Sequence, residues 1–253
     1  MTAASGAPGS ADRAGLAGQT VVVIGAGAGI GRETARQVRA DGGRLVLVGR
    51  NPERLQQAAQ ELRPRSTAAF DATDSDRLRR FFEELPGPVD HVMVTAGSPS
   101  YRPLPEMDLD AARGEFGQRL ALTLGVALHS RDKVRAGGTL VFMGGTGGRR
   151  PGAGLSVVSA LTAALPALTA NLALELAPVR VNLIAAGFVD TPLSAALLGD
   201  QLEARREELR ATLPIRRVVV PADVAALAVH LMCNEALTGG TYDIDGGQQL
   251  LSH

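Results

Sequence analysis

The stretch Thr20-Val21-Val22-Val23-Ile24-Gly25-Ala26-Gly27-Ala28-Gly29-Ile30-Gly31 decides the fold. Five β-branched residues, four of them apolar, read as a short buried strand. Seven residues follow of which four are glycine, and an amphipathic helical pattern runs from about Ile30 to Ala40. Strand, glycine loop and helix in that order make a site for a nucleotide rather than an ordinary turn. Glycine lets the backbone approach a pyrophosphate closely. The helix N-terminus then offers free N–H groups and the positive end of its dipole. Gly25, Gly27, Gly29, Ile30 and Gly31 are the candidate phosphate-binding residues.

Working outward, the next apolar run is Leu45–Val48. Further runs stand at Thr67–Phe70, Val89–Val94, Gly138–Phe142, Val179–Ile184 and Gly240–Ile244. Between them lie helical stretches at 52–62, 74–85, 106–134, 156–177, 200–212 and 221–235. Continuous apolar strands alternating with helices predict an α/β protein: a doubly wound Rossmann fold with one parallel sheet covered on both faces. No composition break interrupts residues 18–250, so they read as a single domain behind a disordered tail of residues 1–17. Pro166 lies inside the fourth of these helical stretches, where it predicts a bend or a later start.

The end of the second strand indicates which dinucleotide fits. A site for NAD places a carboxylate there to hold the ribose. This chain has Val48-Gly49-Arg50-Asn51 instead. Arg50 can pair with a 2′-phosphate in bidentate fashion, which favours NADP(H), with Asn51 beside it; the alternative is a solvated Arg50 that closes the strand.

Composition excludes several classes. The formal net charge is zero, which argues against a nucleic-acid binder. The 25 arginines against one lysine, Lys133, are read as a base-composition bias of the genome. The four histidines are scattered without metal-ligand spacing, so no metal site is expected. The lone Cys233 suits a reducing compartment, and residues 1–17 lack an apolar signal core, which together predict a cytoplasmic protein. No apolar run of spanning length is read in the chain, so no membrane is expected.

These residues resemble the short-chain dehydrogenase/reductase family over about residues 18–250. Gly25, Gly29, Ile30 and Gly31 match its glycine loop, with Ile24 in place of the usual threonine. Asp71, followed by Ala72, matches the aspartate that meets the adenine. Thr95-Ala96-Gly97 stands where the family has Asn-Asn-Ala-Gly. Arg180-Val181-Asn182 precedes Ala186-Gly187-Phe188-Val189-Asp190-Thr191, where the resemblance puts Thr191 on the nicotinamide side of the cofactor and makes Gly187 and Val189 cofactor-binding residues. Asp245-Gly246-Gly247 matches a late signature. The resemblance implies a nicotinamide cofactor, a small-molecule substrate and a homodimer or homotetramer. The Ala- and Leu-rich stretches Leu120–Leu128 and Ala163–Leu176 suit burial against another helix.

The family's four catalytic positions are all replaced. Arg119 stands at the asparagine, Gly145 at the serine, Val158 at the tyrosine and Thr162 at the lysine. No Tyr-x-x-x-Lys occurs anywhere in the chain. Thr162 retains a hydroxyl for a ribose but brings no charge. A positioned general acid contributes about 10²–10⁴-fold, so its loss closes the easy route to carbonyl reduction. Three readings follow. The chain is an NADP-dependent oxidoreductase acting on a carbonyl or enone with a relocated electrophile; or a non-redox cyclase or isomerase on the same scaffold; or an inert nucleotide-binding regulator. Candidate catalytic groups are Arg119, Thr146 and Tyr101. Arg119 is either a buried cation facing the substrate or the partner of Glu115 in a helix-face ion pair. Thr146 alternatively closes a strand-end turn, and Tyr101 alternatively sits on a surface loop. Ser159 is expected to point away from the Val158 face. Arg149 and Arg150 read as a solvated turn or a contact to an acidic substrate. The stretch 192–220, apolar and then charged, suggests a mobile cover.

Overall fold

The computed structural model describes residues 15–149 and 151–251. β1 (Thr20–Ile24) is fully buried and leads through the glycine loop into α1 (Gly29–Ala40). β2 (Arg44–Gly49), α2 (Pro52–Leu62), β3 (Ser66–Ala69), α3 (Ser75–Glu84) and β4 (Val89–Val94) complete the first half. The second half holds α4 (Leu109–Ser130), β5 (Val134–Gly145), α5 (Ser156–Glu175) and β6 (Arg180–Ala186). It closes with α6 (Pro192–Leu198), α7 (Leu202–Thr212), α8 (Pro221–Cys233) and β7 (Thr241–Ile244).

The strands form one seven-stranded sheet in the order β3-β2-β1-β4-β5-β6-β7, parallel throughout. The expected doubly wound parallel sheet is therefore present. Each face of the sheet carries its own apolar cluster, one around Val22, Phe82, Leu140 and Leu183, the other around Val21, Val38, Leu47 and Leu231. Neighbouring residues of β1, Val21 and Val22, lie in opposite clusters, as strand alternation requires. The chain order reverses between β1 and β4, and ligands of open α/β sheets bind outside the strand ends at such a point. Register brings Ile24 level with Val48 and Val94, and Gly145 level with Ala186, so the loops that follow these strands converge.

Several expectations need correction. The packed domain starts before residue 18, because Leu16 is completely buried in the second cluster. Residues 1–14 of the expected tail lie outside the described residues. α5 runs unbroken from Ser156, so Pro166 does not delay it. A proline removes one N–H bond, and Leu165, Thr169 and Leu172 hold the surrounding turns in buried contact. α5 also overturns the absence of a run of spanning length. Its 20 residues are long and apolar enough to cross a membrane by composition. Its position as the crossover between the paired strands β5 and β6 makes it a layer of this fold. Finally, the single helix expected at 200–212 is preceded by a separate one, α6, started by Thr191 and Pro192.

Candidate active site

Three helices of the first half and centre begin with a side-chain cap. Asn51 accepts from the Arg54 N–H at 2.8 Å, Asp74 from Asp76 and Arg77, and Asp108 from Asp110 and Ala111. α1 does not: Ala28 stands at its cap and offers no side-chain acceptor. Its first-turn N–H groups are left to bind an external anion. The loop is held by Thr95, whose hydroxyl lies 3.2 Å from the Ile24 carbonyl and 3.3 Å from that of Gly25. Any side chain on Gly25 or Gly31 would run into this hydroxyl, so both must be glycine. Gly29, at φ +53°, lies against Thr191.

Around this cradle the other expected nucleotide residues are distributed as follows. Arg50 projects into solvent with its side chain 75% exposed, 3.8 Å from Asp71. Asp71 accepts from the Thr73 N–H and hydroxyl, and these bonds hold its carboxyl below the usual range. Ala72 is buried beside it. Asn51 is the cap of α2. Thr191 caps α6 in a reciprocal box with Ser194. Gly187 lies so close to Asp245 and Gln248 that a Cβ would collide with both.

A cleft of about 1030 Å³ opens over the strand ends. It is bordered by Thr95, Gly97, Arg119, Gly145, Thr146, Val158, Thr162, Gly187, Val189 and Thr191. Of the expected cofactor residues, Ile30, Gly97, Thr162, Gly187, Val189 and Thr191 border it directly. α6 and α7 cover it with Leu193, Leu197 and Leu209. The cover is anchored by Arg206, which grips Asp190 with bonds of 2.9 and 2.8 Å.

Arg119 settles one open alternative. It makes no pair with Glu115. Its Nη1 donates to the Ala96 carbonyl at 2.9 Å and its Nη2 to that of Met143 at 3.4 Å. Burial depresses its pKa, yet a guanidinium keeps its charge in a protein. Gly97, at φ +116°, makes room for it: a Cβ there would overlap the guanidinium. Arg180 gives the contrast. That second arginine, at the start of β6, donates to five carbonyls, those of Gly137, Leu231, Met232, Asn234 and Leu237. A guanidinium has five N–H donors. All three nitrogens of Arg180 are engaged, Nη1 shared among three carbonyls, in tying the end of α8 to β5, whereas Arg119 has two carbonyl partners and three donors left over.

The remaining candidates separate. Thr146 is buried and borders the cleft. Tyr101 stands at the mouth, 54% exposed, and its buried side pushes the phenol pKa up. Thr162 turns its hydroxyl back to the Val158 and Ser159 carbonyls at 2.9 and 3.0 Å, so its one proton stays within the helix. The oxygen's lone pairs are what it can offer a ribose. Ser159 does not border the cleft, and its hydroxyl donates to the Gly147 carbonyl at 3.0 Å. Arg149 is neither a free turn residue nor a free anion site, because it forms a bidentate pair with Asp243; Arg150 lies outside the described residues. No cluster of metal-ligating side chains occurs among the described residues. Sequence reading passed over Glu115 as a cleft residue, and also Gln118, Arg205 and Gln248. The spacing of Glu115 four residues before Arg119 was its available signal.

The comparisons with known proteins bear on the family and the fold. The family model described as enoyl-(acyl carrier protein) reductase matches residues 25–249. Carbonyl reductase family member 4 from Danio rerio is 31% identical over 245 residues, covering 91% of this chain and 98% of that protein. The short-chain dehydrogenase/reductase ATR9 from Stachybotrys chlorohalonatus is 28% identical over 250 residues, covering 92% and 97%. Among solved structures, MalC reductase/Diels-Alderase from Malbranchea aurantiaca shares the fold with a TM-score of 0.87 at 24% identity, over 94% of this chain and 99% of that one. A small-chain dehydrogenase solved in complex with NADPH has a TM-score of 0.79 at 26% identity, over 92% and 99%. The chain belongs to the short-chain dehydrogenase/reductase family, whose members are oxidoreductases that bind a nicotinamide cofactor.

Proposed function

We propose that this protein is an NADP(H)-dependent oxidoreductase acting on a small carbonyl or enone substrate, with Arg119 as the electrophilic group in place of the family's proton donor. The observation that carries the reading is the guanidinium of Arg119 bordering the cleft, with three donors unused and no carboxylate paired with it. The uncapped N-terminus of α1 suits the pyrophosphate and the exposed Arg50 suits a 2′-phosphate. The structure solved with NADPH in a relative supports the same choice. When bound, the nicotinamide supplies the hydride. Reduction of an enone builds negative charge on the carbonyl oxygen, and the free N–H groups of Arg119 can hold that oxygen as an enolate. The carbon then takes its proton from water, so the missing tyrosine is not needed. Val158 and Leu155 make the wall apolar and strengthen the attraction. Thr146 adds a hydroxyl to the same surface. The exposed apolar residues Leu124 and Leu128 of α4 and Leu174 of α5 fit a homodimer or homotetramer formed through these helices.

The test is a titration with NADPH and NADH by fluorescence or calorimetry, followed by a screen of enones and ketones for NADPH oxidation. Arg119→Ala is expected to lower turnover about 10²–10³-fold with NADPH binding kept. Turnover that survives this change removes Arg119 from the chemistry. NADPH binding with no turnover on any substrate favours the regulator reading.

A further inference from the structure

Glu115 stands one helical turn before Arg119 on α4 and borders the same cleft. Opposite charges four residues apart share a helix face and usually pair. Here the carbonyls of Ala96 and Met143 draw the guanidinium away. The nearest other cation on the helix, Arg113, pairs with Asp110 at 2.9 Å. Arg102 and Asp108 share with Glu115 the small recess next to the cleft, without forming a bond to it. Glu115 is therefore a half-buried carboxyl group with no protein partner among the described residues. The other titratable groups around the cleft are placed differently. Glu208 is tied to Arg205 at 2.7 Å, and Tyr101 stands at the mouth.

We propose that Glu115 and Arg119 act as a proton-transfer pair that enolises a carbonyl substrate without net oxidation or reduction. The proposal rests on the reading of Arg119 given above and adds a base to it. The Glu115 carboxylate takes a proton from the carbon next to the carbonyl. The C–H bond breaks, an O–H bond forms on the carboxylate, and the electron pair moves onto the carbonyl oxygen, where Arg119 holds it. Return of a proton to the same carbon restores the ketone; return to a conjugated carbon shifts a double bond. No electrons leave the substrate in either case. The attachment points are about 6 Å apart along the helix, so a carbonyl oxygen directed to the guanidinium brings its neighbouring carbon toward the carboxylate side. The substrate class is a largely apolar ketone or enone with an acidic α-hydrogen.

The experiment follows α-proton exchange by proton NMR in deuterated water. The probe is 4-phenylbutan-2-one, extended to a panel of cyclic and acyclic ketones, with the protein saturated in NADP⁺, which cannot reduce them. The wild-type protein is expected to exchange the α-protons faster than buffer. Glu115→Gln should slow the protein-dependent exchange about 10²–10⁴-fold, and Glu115→Asp should keep part of it, with the melting temperature and NADPH affinity unchanged in both. No exchange above buffer on any ketone overturns the proposal. Loss in Arg119→Ala but not in Glu115→Gln overturns the base and leaves the Arg119 reading standing. Exchange indifferent to both changes overturns the two together.

Discussion

Gly97 and Arg119 occupy complementary space. The guanidinium lies where the Cβ of any other residue at 97 would be, and Gly97 also has φ +116°. Gly97→Ala would therefore strain the backbone and displace the cation at once. We expect a loss of about 1–3 kcal/mol in urea denaturation and a fall in turnover close to that of Arg119→Ala. A variant that folds with wild-type stability and activity contradicts the complementarity.

Arg50 is the second lever. Its exposed guanidinium, only 3.8 Å from Asp71, is free to turn to a ligand. Arg50→Ala should weaken NADPH binding about tenfold to a hundredfold, the value of a charge-assisted contact, and leave NADH binding nearly unchanged. Calorimetry with both nucleotides reads the difference. Equal losses for the two would mean that the 2′-phosphate is held elsewhere.

Acid sensitivity should trace to His91 on β4. Burial lowers its pKa to about 4 from an ordinary 6.5, the field of Arg180 adds to the shift, and Asp90 opposes it. Its Nε2 meets the Gln19 side-chain oxygen at 2.5 Å, and its Nδ1 has no partner. The unfolded chain binds a proton at 6.5 and the folded one only near 4, so stability falls as the pH drops through that window. Between pH 7.5 and 5.5 the expected loss is about 1–1.5 kcal/mol. The depressed carboxyls of Glu61, Asp71, Asp223 and Asp243 act at lower pH. His91→Gln should flatten the profile over this range; an unchanged slope assigns the effect to another group.

The cover of the cleft depends on Arg206 and Asp190. Arg206→Ala should let α6 and α7 open more often. Limited proteolysis between 192 and 212 is expected to speed up severalfold, and NADPH affinity should barely change. Equal cleavage rates in the two proteins would show that packing of Leu209 and Leu213 alone holds the cover.

The framework could be read from sequence where burial on both faces left continuous apolar strands, as in β1, β2 and β4. It was least clear at β3, whose residues Ser66–Ala69 lie at the sheet edge and carry little apolar signal. α6 carried a start signal in Thr191-Pro192, but its brevity hid it within the cover segment. β5 begins four residues before its apolar run because Val134 pairs with Val89, a partner 45 positions away. The phosphate loop was legible because its glycines answer to local geometry. The direction of Arg119 was not. Its two acceptors lie 23 and 24 residues distant in the chain, and helix spacing alone favoured Glu115 equally.

The bare backbone of Gly145 leaves room for the Thr162 side chain at the cleft wall. A Cβ on Gly145 would come within 3.3 Å of the Thr162 methyl group, and one on Gly148 within 2.9 Å of the Thr162 hydroxyl. Each residue is therefore tolerated on condition of the others. A serine added at 145 alone would crowd the threonine, and a bulkier side chain at 162 would meet the 145–148 backbone turn. Side chains at 145, 148 and 162 draw on one small volume, so a larger group at any of the three leaves less room for the other two.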